Sequence, residues 1–205
     1  DHRDLHSFPT RRSSDLARYP QIDVTLDMTD RIVDLIDAHA DIAIRVGPLQ
    51  DSDMLARGLG AASWRLVAAP DYLARHGHPD SPQDLALLRQ VRFVAPAHIN
   101  TLRFHGLADP VAVPASVTAS NGEAVRRLVL GGLGIARFSD FMIDQDIAEG
   151  RLVELFPGRI DAAPLSVTAL YLVRASGLRR LAVFLDWLET LMRDRTAADA
   201  LRRTG

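Results

Sequence analysis

The chain contains no cysteine and no lysine. Without cysteine there is no disulfide and no thiolate chemistry, and a reducing compartment is compatible but not required. All 24 basic residues are therefore arginine. Together with the abundance of alanine, this reflects a GC-rich coding sequence rather than a chemical need. No apolar run approaches the ~18 residues that span a bilayer. The formal net charge is −2, which does not describe a basic nucleic-acid surface. The sequence also lacks HExxH, GxSxG and a Walker loop. Nothing in it assembles a nucleophile, a base and an oxyanion donor, so the enzyme classes that depend on them are not indicated.

What is present begins with an anomaly. Residues 1–16, DHRDLHSFPTRRSSDL, have no apolar periodicity and offer no face to bury. They read either as a polar terminal tail or, back-translated, as a short-read sequencing adapter that should be excluded from fold reasoning. On the second reading the native sequence starts near Ala17. Removing the segment takes away three Arg and three Asp and leaves the net charge unchanged.

From Ala17 onward the length suits one or two domains with a sizeable core. Ile22, Val24, Leu26 and Met28 alternate with polar residues and predict a strand. Thr29 or Asp30 then caps a helix carrying Ile32, Leu35 and Ile36. A short strand follows at 41–46, and together these make a βαβ unit. An Asp-rich loop after Gly47-Pro48 leads to a strand at 64–69. Pro70-Asp71 opens a short helix that Gly77 ends, and Ser81-Pro82-Gln83-Asp84 opens another. Short strands fill 92–113. A strand at 117–120 runs into a helix that Gly131-Gly132 stops. A strand at 135–138, a helix from Ser139 to Ala148, and strands at 151–155 and 165–173 complete the alternation. The last helix, capped by Ser176, carries Leu178, Leu181, Phe184, Leu185, Leu188, Leu191 and Met192 on one stripe. From Arg193 the chain turns polar and is expected to fray. This order of elements is α/β.

Five stretches bear on chemistry. Arg45 closes the 41–46 strand, where open α/β sheets bind ligands; it either holds a carboxylate through paired hydrogen bonds or pairs with a neighbouring Asp. Ser120-Asn121 enters a helix start, which suits an anion, although Asn121 also serves as a plain cap; Thr29 and Asp30 pose the same choice. Gly131-Gly132-Leu133-Gly134 leaves a helix and enters a strand, the wrong order for dinucleotide binding, and reads as a helix stop with close packing. His76-Gly77-His78 lacks a third metal ligand and reads as solvent-exposed.

In order, ARYPQIDVTLDMTDRIVDLIDAHADIAIRVGPLQDSDMLARGLG, WRLVAAPDYLARHGHPDSPQDLALL and SNGEAVRRLVLGGLGIARFSDFMIDQDIAEGRLVELFPG resemble the effector-binding half of a LysR-type transcriptional regulator. The resemblance implies two Rossmann-like α/β subdomains joined by two crossover strands, as in periplasmic binding proteins. The first would be 17–63 plus 168–192, the second 64–167, and 193–205 a polar tail. The effector would lie in the cleft between them, touching Thr29, Asp30, Arg45, Ser120, Asn121, Arg137 and Phe138. Many relatives carry Leu-Pro where this chain has Phe138-Ser139, which leaves the effector's chemistry open. Two helix starts and two arginines favour a small organic anion.

The resemblance further implies no cofactor, no metal, no membrane and no enzymatic role. It implies a cytoplasmic protein that is a homodimer or homotetramer when intact and meets promoter DNA only through an N-terminal winged helix-turn-helix not found in these residues. The first strand of the first subdomain is expected to be missing as well, so that the 22–28 and 41–46 strands lose the neighbour that separates them, at a serious cost in stability. An extracytoplasmic solute-binding protein of the same architecture is the alternative, and an enzyme on a similar two-domain scaffold is a third possibility.

Overall fold

The computed structural model describes residues 22–27, 35–49, 53–94, 97–172 and 177–203, with side chains in the last helix as far as Arg193. The chain divides into two units, one formed by residues up to Ala62 together with those from Pro164, the other by Ser63–Ala163. The division places the whole of the strand 165–171 in the first unit, whereas the expected boundary at 168 cut through it.

The first unit holds a three-stranded sheet in the order β1 (Ile42–Val46), β8 (Leu165–Tyr171), β2 (Leu55–Ala62). Both neighbours run antiparallel to β8, with Ile44 opposite Ala169 and Arg57 opposite Ala169 from the other side. β8 is thus the central strand, and its Val167, Ala169 and Leu170 are buried. β2 was expected to be part of a loop. Its LARGLGAA has weak strand propensity, and pairing with β8 makes it a strand. A register shift between Gly58 and Gly60 bends it, and Gly60 takes a φ of +152° there, a value that favours glycine.

Helix α4 (Arg179–Arg203) packs on β2. Leu181, Leu185 and Leu188 of the expected stripe are buried. The helix continues without a break to Arg203; Ala, Leu and Arg in its last turns are good helix formers, which the expectation of fraying from Arg193 undervalued. Arg57 of β2 bonds to Asp186 at 2.7 Å and Glu189 at 2.6 Å on this helix.

Residues 22–27 belong to no strand. Alternation alone does not make a strand: no described strand pairs with these residues, and Val24 and Leu26 are left 46% and 61% exposed. Among the described residues the expected parallel βαβ pairing with β1 does not occur, and β1 pairs antiparallel with β8. Residues 35–39 form a turn. The earlier part of the expected helix, and the proposed cap at Ser176, lie outside the described residues.

The second unit is a five-stranded sheet in the order β5 (Ala115–Ala119), β4 (Gln90–Phe93), β6 (Ile135–Ser139), β3 (Trp64–Ala68), β7 (Val153–Leu155). β5, β4 and β6 are parallel, while β3 runs antiparallel to β6 and β7 antiparallel to β3. Helices α1 (Pro70–His76), α2 (Gly122–Leu130) and α3 (Asp140–Ala148) pack around the sheet. Leu66, Tyr72, Val125, Ile135, Phe138 and Ile143 lie in its core. The buried Tyr72 hydroxyl accepts a hydrogen bond from the Arg89 amide at 2.8 Å. The helix expected from Ser81 is a 3-10 helix, Pro82–Leu87, whose start is fixed by the Ser81 amide and hydroxyl donating to the Asp84 carboxylate.

Gly134, between α2 and β6, has a φ of +158°, and a Cβ there would meet the Arg89 carbonyl oxygen at 2.4 Å. That oxygen accepts from the Ile135 amide at 2.8 Å. Close approach of two backbones is therefore what this glycine provides, as the sequence reading held.

Candidate functional site

Within the second unit, the carboxyl ends of β5, β4 and β6 form one edge. In open α/β sheets this edge binds ligands, because the helices that follow present free N–H groups there. Phe93 stands opposite Ala119, and the Val94 amide donates to the Ala119 carbonyl at 2.9 Å, so β4 and β5 end level with each other. Ser120 and Asn121 follow at once, both exposed.

Asn121 is the N-cap of α2. Its Oδ1 accepts from the Ala124 amide at 3.0 Å, and its carbonyl from Val125 at 3.0 Å. Glu123 adds a negative charge to the first turn but is held back along the helix by Arg126 at 3.1 Å and Arg127 at 3.0 Å. Gly122 fits tightly: a Cβ would meet Met142 Cε of α3 at 3.0 Å.

The start of α3 is different. Ser139 was expected to cap it, but makes no side-chain cap bond. The buried Asp140 carboxylate takes over instead, accepting from the Phe141 amide at 2.8 Å and the Ser63 amide at 2.9 Å. The Asp140 amide donates to the Ser63 carbonyl at 2.9 Å. A carboxylate of the protein itself thus occupies the place an anion would take.

Arg137 lies on β6, with β4 between it and the Asn121 side of the edge. It is only 5% exposed. One Nη donates to the His98 carbonyl at 2.9 Å, and the guanidinium lies 4.3 Å above the Trp64 ring. Its Nε is buried with no hydrogen-bond partner. Burial pulls its pKa down to about 10. The His98 carbonyl also accepts from the Thr101 amide at 3.2 Å, and Asn100 of the same turn pairs with Phe93, its Oδ1 accepting from the Phe93 amide at 2.9 Å and its Nδ2 donating to the Phe93 carbonyl at 2.8 Å. That pairing fastens the turn Ala97–Asn100 to the end of β4.

Ser120 and Asn121 therefore stand at the carboxyl edge of the sheet, while Arg137 lies within β6, two residues before its end at Ser139. Phe138 is not among them. It is 1% exposed and packs edge-on against Phe93 in the core, 5.8 Å between centroids. Strand alternation turns it to the face opposite Arg137, which corrects its expected place against a ligand. Arg45 is half-buried on β1 in the other unit, opposite Thr168. Thr29 and Asp30 lie outside the described residues. Trp64, His98 and Asn100 were not singled out from sequence; only the cross-strand register and the fold-back of residues 97–100 bring them to Arg137.

His76 and His78 each bond a main-chain carbonyl, Tyr72 at 2.9 Å and Pro79 at 3.2 Å. Among the described residues no three His, Asp or Glu side chains gather as metal ligands, and no helix is long and apolar enough to cross a membrane.

An α/β unit whose parallel strands end beside helix starts has the architecture in which open sheets bind ligands. The chain belongs to the LysR substrate binding domain family, which it matches over residues 7–193. It is 39% identical over 172 residues to the HTH-type transcriptional regulator CrgA of Neisseria meningitidis serogroup C (strain 8013), covering 83% of this chain and 58% of that relative. To the uncharacterised HTH-type transcriptional regulator YhjC of Escherichia coli (strain K12) it is 32% identical over 189 residues, 90% of this chain and 62% of the relative. The chain thus spans about three-fifths of the length of these curated relatives.

Among solved structures, the regulatory domain of CrgA superposes with a TM-score of 0.79 at 37% identity, over 86% of this chain and 87% of the other. The effector domain of AmpR from Pseudomonas aeruginosa superposes with a TM-score of 0.71 at 20% identity, covering 94% of this chain and 90% of that one, a likeness in fold alone. These relatives are transcriptional regulators, so the solute-binding alternative is not favoured. The fold is the two-unit, periplasmic-binding-protein-like α/β class expected from the sequence.

Proposed function

We propose that this chain is the effector-sensing part of a cytoplasmic LysR-type transcriptional regulator, which meets promoter DNA through a helix-turn-helix carried elsewhere in the protein and acts as a homodimer or homotetramer. Family membership carries this reading, and the polar edge of the second unit supports it. The effector is a small organic anion. The start of α2 at Ser120-Asn121 and the guanidinium of Arg137 are its expected contacts in this unit, and Arg45, Thr29 and Asp30 those in the other.

Sensing then works by population shift. The effector binds one arrangement of the regulator more tightly than another, and only that difference in affinity moves the equilibrium. The coding sequence upstream of residue 1 tests the reading. A helix-turn-helix in frame supports it, and an export signal in its place overturns it. Calorimetric titration of small metabolites tests the ligand class, and tight binding confined to neutral or cationic compounds would remove the anion.

A further inference from the structure

The chain has two asparagines, Asn100 and Asn121, and the fold treats them oppositely. Asn100 is half-buried, and both ends of its carboxamide bond the main chain of Phe93. Thr101 follows it, and a β-branched neighbour is stiff and crowds the approach to the side chain. Asn121 is exposed. Its Oδ1 accepts from the Ala124 amide at 3.0 Å, while its Nδ2 makes no hydrogen bond within the described residues. Gly122 follows it and sets no side chain beside the amide nitrogen.

An asparagine carboxamide is an acyl group with ammonia as its leaving group. The main-chain nitrogen of the next residue closes a five-membered ring on its Cγ, and a glycine there leaves the attack unhindered. In the closed helix start that attack is held off. The main chain at Asn121 is extended, with a ψ of 134°, and the cap bond to Ala124 keeps it so. Gly122 is buried, with Met142 and Phe93 beside it. The nitrogen therefore becomes available when the first turn of α2 opens, a local event that needs no global unfolding.

We infer that Asn121-Gly122 is a site of spontaneous deamidation, paced by the opening of the first turn of α2. The Gly122 amide gives its proton to hydroxide, and its nitrogen bonds to Asn121 Cγ. The Cγ–Nδ2 bond breaks, and ammonia leaves with a proton from water. Water then opens the cyclic imide on either side of the ring nitrogen. Opening at Cγ gives aspartate at 121, which caps a helix as well as asparagine does. Opening at the main-chain carbonyl gives isoaspartate. That product carries one more carbon in the main chain and loses the bond to Ala124. The chemistry stands apart from the regulatory reading, which decides only whether ageing at this helix start alters effector binding.

The arginine positions make the site measurable. Cleavage after arginine puts Asn100 in the peptide 93–103 and Asn121 in the peptide 104–126. The full chain is held at mildly alkaline pH, folded or in urea, then digested. Mass spectrometry follows the amide-to-acid conversion, and chromatography separates the aspartate and isoaspartate peptides. In the folded chain Asn121 is expected to convert at least about tenfold faster than Asn100, giving both products. Urea should raise the Asn121 rate by at least about tenfold more. Gly122→Ala should slow it by a similar factor in urea, where folding plays no part. The isolated isoaspartate form should melt below the parent chain. The inference is overturned if Asn121 stays intact in the folded chain, if it converts no faster than Asn100, or if Gly122→Ala converts as fast as the parent. A rate unchanged by urea overturns the pacing by the helix start, and an unchanged melt of the isoaspartate form overturns the loss of the cap.

Discussion

Arg126 on α2 and Asp146 on α3 meet in a two-pronged ion pair, Nε to Oδ2 at 2.6 Å and Nη2 to Oδ1 at 2.8 Å. Asp146 is fully buried and also takes both Nε and Nη2 of Arg151 on Oδ1, at 2.8 Å and 2.6 Å. Burial by itself opposes the charge on Arg126, but the hydrogen bonds and attraction of Asp146, with help from Glu123, raise its pKa above the ordinary value. The pair ties the helix that starts at Asn121 to the one that follows β6. Asp146→Ala leaves two guanidinium groups facing a hole and is expected to destabilise the second unit by about 3–5 kcal/mol. The shift of the urea midpoint at constant slope measures it.

Asn121 separates two roles that the sequence left open. As a cap alone, Asn121→Ala costs about 0.5–2 kcal/mol and Asn121→Asp almost nothing. If an anionic effector also rests at this helix start, Asn121→Asp keeps the melting temperature but weakens effector binding, because it sets a carboxylate where the anion belongs. A thermal melt beside a calorimetric titration distinguishes the two.

Acid lability follows from two half-buried carboxylates, Asp84 and Glu189. The Ser81 amide, then its hydroxyl, hold Asp84 below the ordinary 3.8. The hydrogen bond from Arg57 is the leading cause that holds Glu189 below 4.5. In both cases the folded-state pKa lies under the unfolded one. The contribution is therefore present above the unfolded value and lost as the pH falls through the folded one. Stability against urea is expected to drop below about pH 4, and Asp84→Asn should flatten part of that slope. An unchanged slope in the variant removes the assignment.

Gly134→Ala is expected to be costly out of proportion to one methyl group. Its Cβ would lie 2.4 Å from the Arg89 carbonyl oxygen, a main-chain atom fixed by its bond to Ile135, so the strand entry must shift. A loss of more than about 1 kcal/mol is expected, with amide exchange at Ile135 rising in step.

Arg137→Met should leave the ligand-free chain as stable as before, or more stable by ~1 kcal/mol or more, since it removes an unpaired buried charge that burial disfavours. The same change is expected to abolish effector binding in the calorimetric titration. A side chain that costs stability while serving binding fits the usual conflict at functional positions.

The sequence was most informative where structure is decided locally. Asn121 as cap, Val125 and Val129 as the inward face and Gly131 as stop are readable because each acts within a turn of its neighbours. β2 was not readable, because Leu55–Ala62 is poor in strand formers and is held by β8, far along the chain. The reverse error fell on residues 22–27, whose alternation suggests a strand although no described strand pairs with them. At the site, Asp140 displaced the expected Ser139 because a carboxylate satisfies two amides at once. The partnership of Trp64 with Arg137 depends on the register that sets Leu66 opposite Arg137, and no local pattern encodes that register. Phe138 was placed against the ligand by family position, and the pleat of β6 sends it inward.

β8 lies between β1 and β2 but follows them in the chain by about a hundred residues. During synthesis at about 5–20 residues per second, the second unit is complete once Ala163 clears the ribosome, while β1 and β2 still lack the strand that joins them. β1 and β2 therefore wait roughly 5–20 s, the time needed to add about a hundred residues, with unsatisfied strand edges open to chaperones or to neighbouring chains. Changes that weaken β8 should therefore lower the soluble yield from cells more than they lower the stability of protein already folded.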